Sequence, residues 1–152
     1  MSERAQSAFP ALLRHFGLLA ALAFVGCALG QGEPAVASCE PPEPTTVSFV
    51  NEVQMVFDFN CVSCHQTGAE NADLNPGFDL SYDELVGVPS TQSPLLRVQP
   101  GIPSESYLIH KLEGTQQEVG GSGSQMPLGL GPLPDADIAT IRTWIDECAL
   151  DN

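Results

Sequence analysis

Residues 48–65 read Ser48-Phe49-Val50-Asn51-Glu52-Val53-Gln54-Met55-Val56-Phe57-Asp58-Phe59-Asn60-Cys61-Val62-Ser63-Cys64-His65, and their pattern decides the fold. Phe49, Val53, Val56 and Phe57 recur at helical spacing, with Asn51, Glu52, Gln54 and Asp58 between them. Ser48 is suited to cap the helix, because its hydroxyl can accept from an orphan amide of the first turn. The helix then runs into C-x-x-C-H. Two thiols three residues apart at a helix end, followed at once by an imidazole, place three soft or nitrogen donors on one short turn.

That pattern suits covalent haem attachment. The two thiols can reach the two vinyl groups on one porphyrin edge, and the next residue brings its imidazole over the iron on the proximal face. A redox dithiol also uses C-x-x-C, but it wants a βαβ surround that the sequence lacks. A zinc site needs further Cys or His ligands at motif spacing, and no suitable pair remains. A disulfide between Cys61 and Cys64 is sterically awkward inside a helix-terminal turn.

Upstream, the chain carries an export signal. Arg4 and Arg14 are positive, and Phe16 to Gly26 is an unbroken run of apolar and small residues. That run is about half the ~20 residues a membrane-spanning helix needs, so it reads as a signal h-region over residues 1–26. Phe24-Val25-Gly26-Cys27 resembles a bacterial lipobox with Phe where Leu is usual, which would make Cys27 a lipid-modified first residue. The rival is cleavage after Ala28-Leu29-Gly30. Both place the mature chain outside the cytoplasm, in the periplasm or cell envelope, where c-type haem is attached in bacteria. Residues 27–46, with Pro34, Pro41, Pro42 and Pro44, favour extended polyproline geometry and read as a tether ahead of a domain at 47–152.

The chain of 152 residues is one domain in size, 43% hydrophobic and 16% charged, a composition that can build a core and does not read as intrinsic disorder. Its net charge is −14. Removing residues 1–26 takes away Arg4, Arg14 and Glu3 and leaves 3 basic against 18 acidic residues, a net −15. Nucleic-acid binding is excluded because it needs a cationic footprint, and an anionic lipid surface would repel the chain. Any docking surface is expected to meet a basic partner, although acidity also serves solubility alone.

Further helices are expected at 81–86, where Ser81 and Glu84 form a capping box and Gly87 stops the helix. Another runs from Ser104 through Tyr107 to Leu112, ended by Gly114. The last begins at Pro134, Asp135 and Asp137, with Ile138, Ile141, Ile145 and Cys148 on one face and Trp144 beside them. No segment alternates strictly. The fold class is therefore all-α, three to five short helices with long loops, and loops of that length are reasonable if they wrap a large cofactor.

A second axial ligand must come from His110, Met55 or Met126, since His15 lies in the signal. Met55 sits in the helix on the attachment side. Met126 lies in a Gly- and Ser-rich segment, Gly120 to Gly129, read as flexible and pinned by Pro127; a loop thioether can drape over the distal face, or it can simply plug a gap. His110 is either a ligand or a solvent-facing helical histidine.

Taken together, these features resemble a class I c-type cytochrome domain. The likeness extends over residues 47–149 through Leu85-Val86-Gly87, Arg97-Val98-Gln99-Pro100-Gly101, Ser106-Tyr107-Leu108 with Lys111-Leu112-Glu113-Gly114, Met126-Pro127-Leu128-Gly129, Pro132-Leu133 and Ile141-Arg142-Thr143-Trp144-Ile145. The separation of His65 and Met126, 61 residues, is typical of that family. The resemblance implies a cytochrome c fold around one haem c, attached through Cys61 and Cys64. It implies His65 as proximal and Met126 as distal iron ligand, with Pro76 offering a carbonyl to the His65 ring. Arg97 would meet a haem propionate or lie on the surface, and Tyr107 and Trp144 would pack in the core or on the haem. In the resembled fold the first and last helices cross, which would bring Cys39 to Cys148 as a disulfide; the alternative is a buried, unpaired Cys148. Gly is common in such domains where this chain has Cys148. The implied activity is single-electron transfer between redox proteins. A peroxidase or oxidase subunit needs an open distal position, and a gas sensor needs a displaceable ligand.

Overall fold

The computed structural model describes residues 39–65 and 73–152. The expected signal, the Cys27 lipidation site and the first part of the tether lie outside the described residues. The described chain is helical. A π-helical turn at Phe49–Val53 leads into α1 (Gln54–Asn60), followed by α2 (Ser81–Leu85), α3 (Tyr107–Glu113) and α4 (Asp135–Asp146), with short 3₁₀ turns at Pro103–Glu105 and Gln116–Val119. No strand forms among the described residues; Val86 with Val98, Pro89 with Leu96 and Leu96 with Ser106 make isolated bridges only.

The start of the first helix is held from both ends of the domain. Ser48 Oγ accepts from the Asn51 amide at 3.3 Å, as a cap should, and Glu52 reaches back to the Ser48 amide at 2.8 Å. Two orphan amides go further afield: Phe49 donates to Asn152 Oδ1 at 2.8 Å and Val50 to the Asn152 carbonyl at 3.0 Å. The apolar stripe behaves as its spacing requires. Phe49, Val53 and Phe57 are buried with Ile141, Trp144 and Ile145 of α4, Ile109 and Leu112 of α3, and Leu85 and Val98. The Phe49 ring stacks on Trp144 with centroids 5.0 Å apart and meets Tyr82 edge-on at 5.5 Å. Trp144 donates its indole N–H to the Leu150 carbonyl at 2.8 Å and is a core residue.

Local expectations differ from the structure at three helix ends. The Ser81–Glu84 capping box does not form. Ser81 is inside α2 and buried; its hydroxyl donates to Gln54 Oε1, while the Glu84 carboxylate accepts from Arg97 at 3.1 Å. Partners distant in sequence have outbid the local amides. The helix expected from Ser104 is divided at Ser106, which is extended. Its hydroxyl donates to the Ile102 carbonyl and accepts from the Gln99 amide, and the first amides of α3, Tyr107 and Leu108, donate to the Leu96 and Arg97 carbonyls.

The third difference is at Cys148, which lies beyond α4 with φ +71°. The Cys148 amide donates to the Ile145 carbonyl and the Ala149 amide to the Trp144 carbonyl, the paired bonds of a Schellman stop with Cys where Gly is usual. Cys148 is joined to Cys39, Cα atoms 5.5 Å apart, across 109 residues of sequence. Residues 39–46, placed in the tether by their composition, are thus fastened to the domain. The Glu147 carboxylate secures their other end, accepting from the Thr46 amide and hydroxyl at 2.9 and 2.6 Å and from the Val47 amide at 3.0 Å.

Candidate functional site

C-x-x-C-H continues the end of α1 as one more turn. Cys61 and Val62 donate their amides to the Phe57 carbonyl, and Cys64 and His65 donate to the Cys61 carbonyl at 3.1 Å. Residues at i, i+3 and i+4 of such a turn share one side, so backbone hydrogen bonding alone gathers both sulfurs and the imidazole. Cys61 and Cys64 carry no disulfide. Burial, and then the neighbouring Cys64, push the Cys61 thiol up to about 11. A redox dithiol is activated by the opposite shift, so Cys61 is not poised as a thiolate nucleophile.

These residues open onto a cavity of about 440 Å³, within the range of cofactor sites. Phe57, Cys61, Cys64 and His65 line it from the first helix and its turn; Tyr107, Leu108, Lys111 and Leu112 from α3; and Met126, Pro127, Leu128 and Leu130 from the segment after it. Leu74, Pro76, Leu85 and Arg97 complete most of the wall. The lining is mainly apolar. Leu128 and Leu130 nevertheless remain 65% and 67% exposed.

The sequence-derived candidates divide clearly on this surface. His65 and Met126 both line the cavity; Met55 does not and is 52% exposed, and His110 does not either. His110 Nε2 lies 3.0 Å from the Ser104 carbonyl, which can only accept, so Nε2 carries a proton. Nδ1 lies 2.8 Å from the Thr115 hydroxyl. Both ring nitrogens are engaged within the α3 region.

Pro76 lines the cavity, and its carbonyl accepts from Gln54 Nε2 at 3.0 Å. A carbonyl has two lone pairs, so this bond does not exhaust it. Arg97 is buried rather than a surface residue. Its guanidinium donates to the Glu84 carbonyl at 2.8 Å, the Glu84 carboxylate at 3.1 Å and the Asp73 carbonyl at 2.9 Å, holding α2 and the 73–76 segment beside the cavity. Tyr107 is buried, and its hydroxyl bonds to Ser122.

The Gly- and Ser-rich segment, read as flexible, is bonded from Gly120 to Met126 to α3 and the turn behind it. Gly121 donates to the Gln116 carbonyl at 2.8 Å, Gln116 Nε2 donates to the Gly123 carbonyl at 3.0 Å, and Gln125 Nε2 to the Leu112 carbonyl at 2.8 Å. Met126 donates its amide to the Lys111 carbonyl at 2.8 Å. Its peptide to Pro127 is cis.

Two residues with work at this site were not assigned any from the sequence. Gln54 reads as a polar spacer, yet it is 2% exposed, bonds to Asp58 within α1 and ties that helix to Pro76 and Ser81. Nothing in a helical pattern distinguishes a buried Gln from a solvated one. Lys111 lines the cavity, and burial pulls its ammonium below the usual lysine range. It had a signal: it is one of only 3 basic residues outside 1–26.

Among the described residues, no group of three or more His, Cys, Asp or Glu side chains is gathered to hold a metal ion. A bare ion such as zinc takes three or four ligands from side chains, whereas porphyrin iron brings four nitrogens and asks the protein for at most two. No described helix is long and apolar enough to cross a membrane. No protein-family model matches the chain, and no curated protein or solved structure matches it.

Proposed function

We propose that the protein is an exported monohaem c-type cytochrome with a cytochrome c fold, transferring single electrons between redox proteins outside the cytoplasm. The observation that carries this reading is one mainly apolar cavity lined both by the C-x-x-C-H turn and by Met126, which lies sixty-one residues beyond His65 in sequence. The donor set fits the group. Cys61 and Cys64 would hold one porphyrin edge by thioether bonds, and His65 and Met126 would take the two axial positions of the iron.

Bound there, haem c supplies an Fe(III)/Fe(II) couple whose potential a thioether ligand raises. One electron would enter from a reduced partner and leave to an oxidised one, with no bond made or broken on the protein. With His65 and Met126 both bound to the iron, no position would remain for substrate, which favours a carrier over a peroxidase or oxidase subunit. Arg97, at the cavity wall, is the candidate contact for a propionate, and Tyr107 packs the same wall. The acidic chain favours a basic docking partner, and lipidation of Cys27 would hold the carrier at a membrane.

Absorption spectra of the purified exported protein, oxidised and then reduced, test the reading together with carbon monoxide titration of the ferrous form. A low-spin c-type spectrum with slow, weak carbon monoxide binding supports the carrier. Prompt stoichiometric binding would make it an oxidase-type module or a gas sensor, and absence of covalent haem would overturn the proposal.

A further inference from the structure

Lys111 is 8% exposed, and a buried ammonium is costly unless its protons are bonded. Its Nζ donates to the Ser124 carbonyl at 2.5 Å and the Ser122 carbonyl at 3.4 Å. The backbone carbonyl of the same residue takes the Met126 amide at 2.8 Å. One helical turn earlier, the Tyr107 hydroxyl donates to the Ser122 carbonyl at 2.9 Å and accepts from the Ser122 amide at 3.2 Å. Tyr107 and Lys111 stand at i and i+4 on α3, hence on one side of it, and both line the cavity.

The glycines of the segment permit this approach. A Cβ on Gly121 would stand 2.7 Å from the Tyr107 hydroxyl, and one on Gly123, at φ +80°, 3.1 Å from Lys111 Nζ. Their use here is close contact, not looseness.

We propose that Lys111 and Tyr107 are positioning residues that clamp segment 122–126 onto α3, so that the Met126 thioether is held at the cavity by the protein itself. The inference deepens the proposed function and rests on Met126 being the distal ligand. A ligand delivered from a loop stays in reach only as well as its backbone is anchored. Here the anchor is a charge-assisted bond from a buried cation, which is stronger than a neutral one.

The test uses the exported protein with Lys111→Met, which keeps length and removes the ammonium, and Tyr107→Phe, which removes only a hydroxyl. Two quantities are read: amide hydrogen exchange at Ser122 to Met126, and the carbon monoxide binding rate of the ferrous form. Lys111→Met should speed exchange in that segment by about tenfold or more, the size expected for a lost charge-assisted bond, and should raise the carbon monoxide rate. Tyr107→Phe should do the same at Ser122 to a smaller extent, and Lys111→Arg should restore most of the protection. Protected α4 amides show that a variant remains folded; if Lys111→Met loses them, Tyr107→Phe decides. Unchanged exchange at 122–126 in a folded variant overturns the clamp. Accelerated exchange in Lys111→Met, with Met126→Ala binding carbon monoxide as the wild type does, upholds the clamp and rejects Met126 as ligand.

Discussion

Of His110, Met55 and Met126, the three candidates for the proposed distal position, only Met126 is among the residues lining the cavity. Met126 lines it with His65, whereas His110 spends both nitrogens on Ser104 and Thr115. Met126→Ala is expected to retain covalent haem, lose the weak long-wavelength band of a ferric iron–thioether bond, bind carbon monoxide readily and show a lower potential. His110→Ala should alter none of these, as absorption spectra and redox titration will check; six-coordination lost in His110→Ala alone would mark a bis-histidine protein. Cys148 poses a different question, because it holds φ +71° without being glycine. Any replacement forfeits the disulfide, which closes a loop of 109 residues and contributes up to ~4–5 kcal/mol in the chain-entropy model. Replacements still differ in backbone strain. Cys148→Gly should be more stable than Cys148→Ala by about 1 kcal/mol, read from urea unfolding midpoints.

At the end of α4, Glu147 joins the helix to the segment that precedes the first one. Its carboxylate is held below the usual range chiefly by the Thr46 hydroxyl, with the Val47 and Thr46 amides adding to the effect and desolvation opposing it. A carboxyl whose folded pKa is depressed adds stability that is fully present above its unfolded pKa, about 4.3, and is lost as pH falls through the folded value. Glu147→Gln should therefore lower the urea midpoint at pH 7. The gap from wild type should narrow as the pH is lowered beneath 4. A constant gap across that window would show that the carboxylate charge contributes nothing at this junction.

Over the molecule as a whole, charge is the dominant feature: 3 basic against 18 acidic residues once 1–26 are removed. Lys111 and Arg97 are buried, and Arg142 pairs with Glu113 at 2.6 Å, so the few cations are largely committed internally. The outer field is consequently negative and, in the proposed function, would favour encounter with basic partners. Stopped-flow electron transfer with a basic redox protein should slow by roughly tenfold between low salt and 0.5 M salt as the field is screened. With an acidic partner the trend should reverse. Equal salt dependence for both would remove electrostatic steering from the proposed function.

Much of the site was legible along the chain because its geometry is local. A helix ending in Cys61-Val62-Ser63-Cys64-His65 gathers three donors through bonds spanning only three to five residues, so spacing suffices to see it. The apolar stripes of the first helix and α4 were readable for the same reason: period determines which face is buried. What spacing could not reveal was competition between local and distant partners. Ser81 and Glu84 have the pattern of a cap, but Gln54 and Arg97 take their side chains. Gly120 to Gln125 has the composition of a flexible loop, yet Tyr107, Lys111 and Gln116 bond it to α3 and its following turn. Residue type and order establish what each group can bond to; only the folded chain, by choosing which groups lose water together, decides which bond is made.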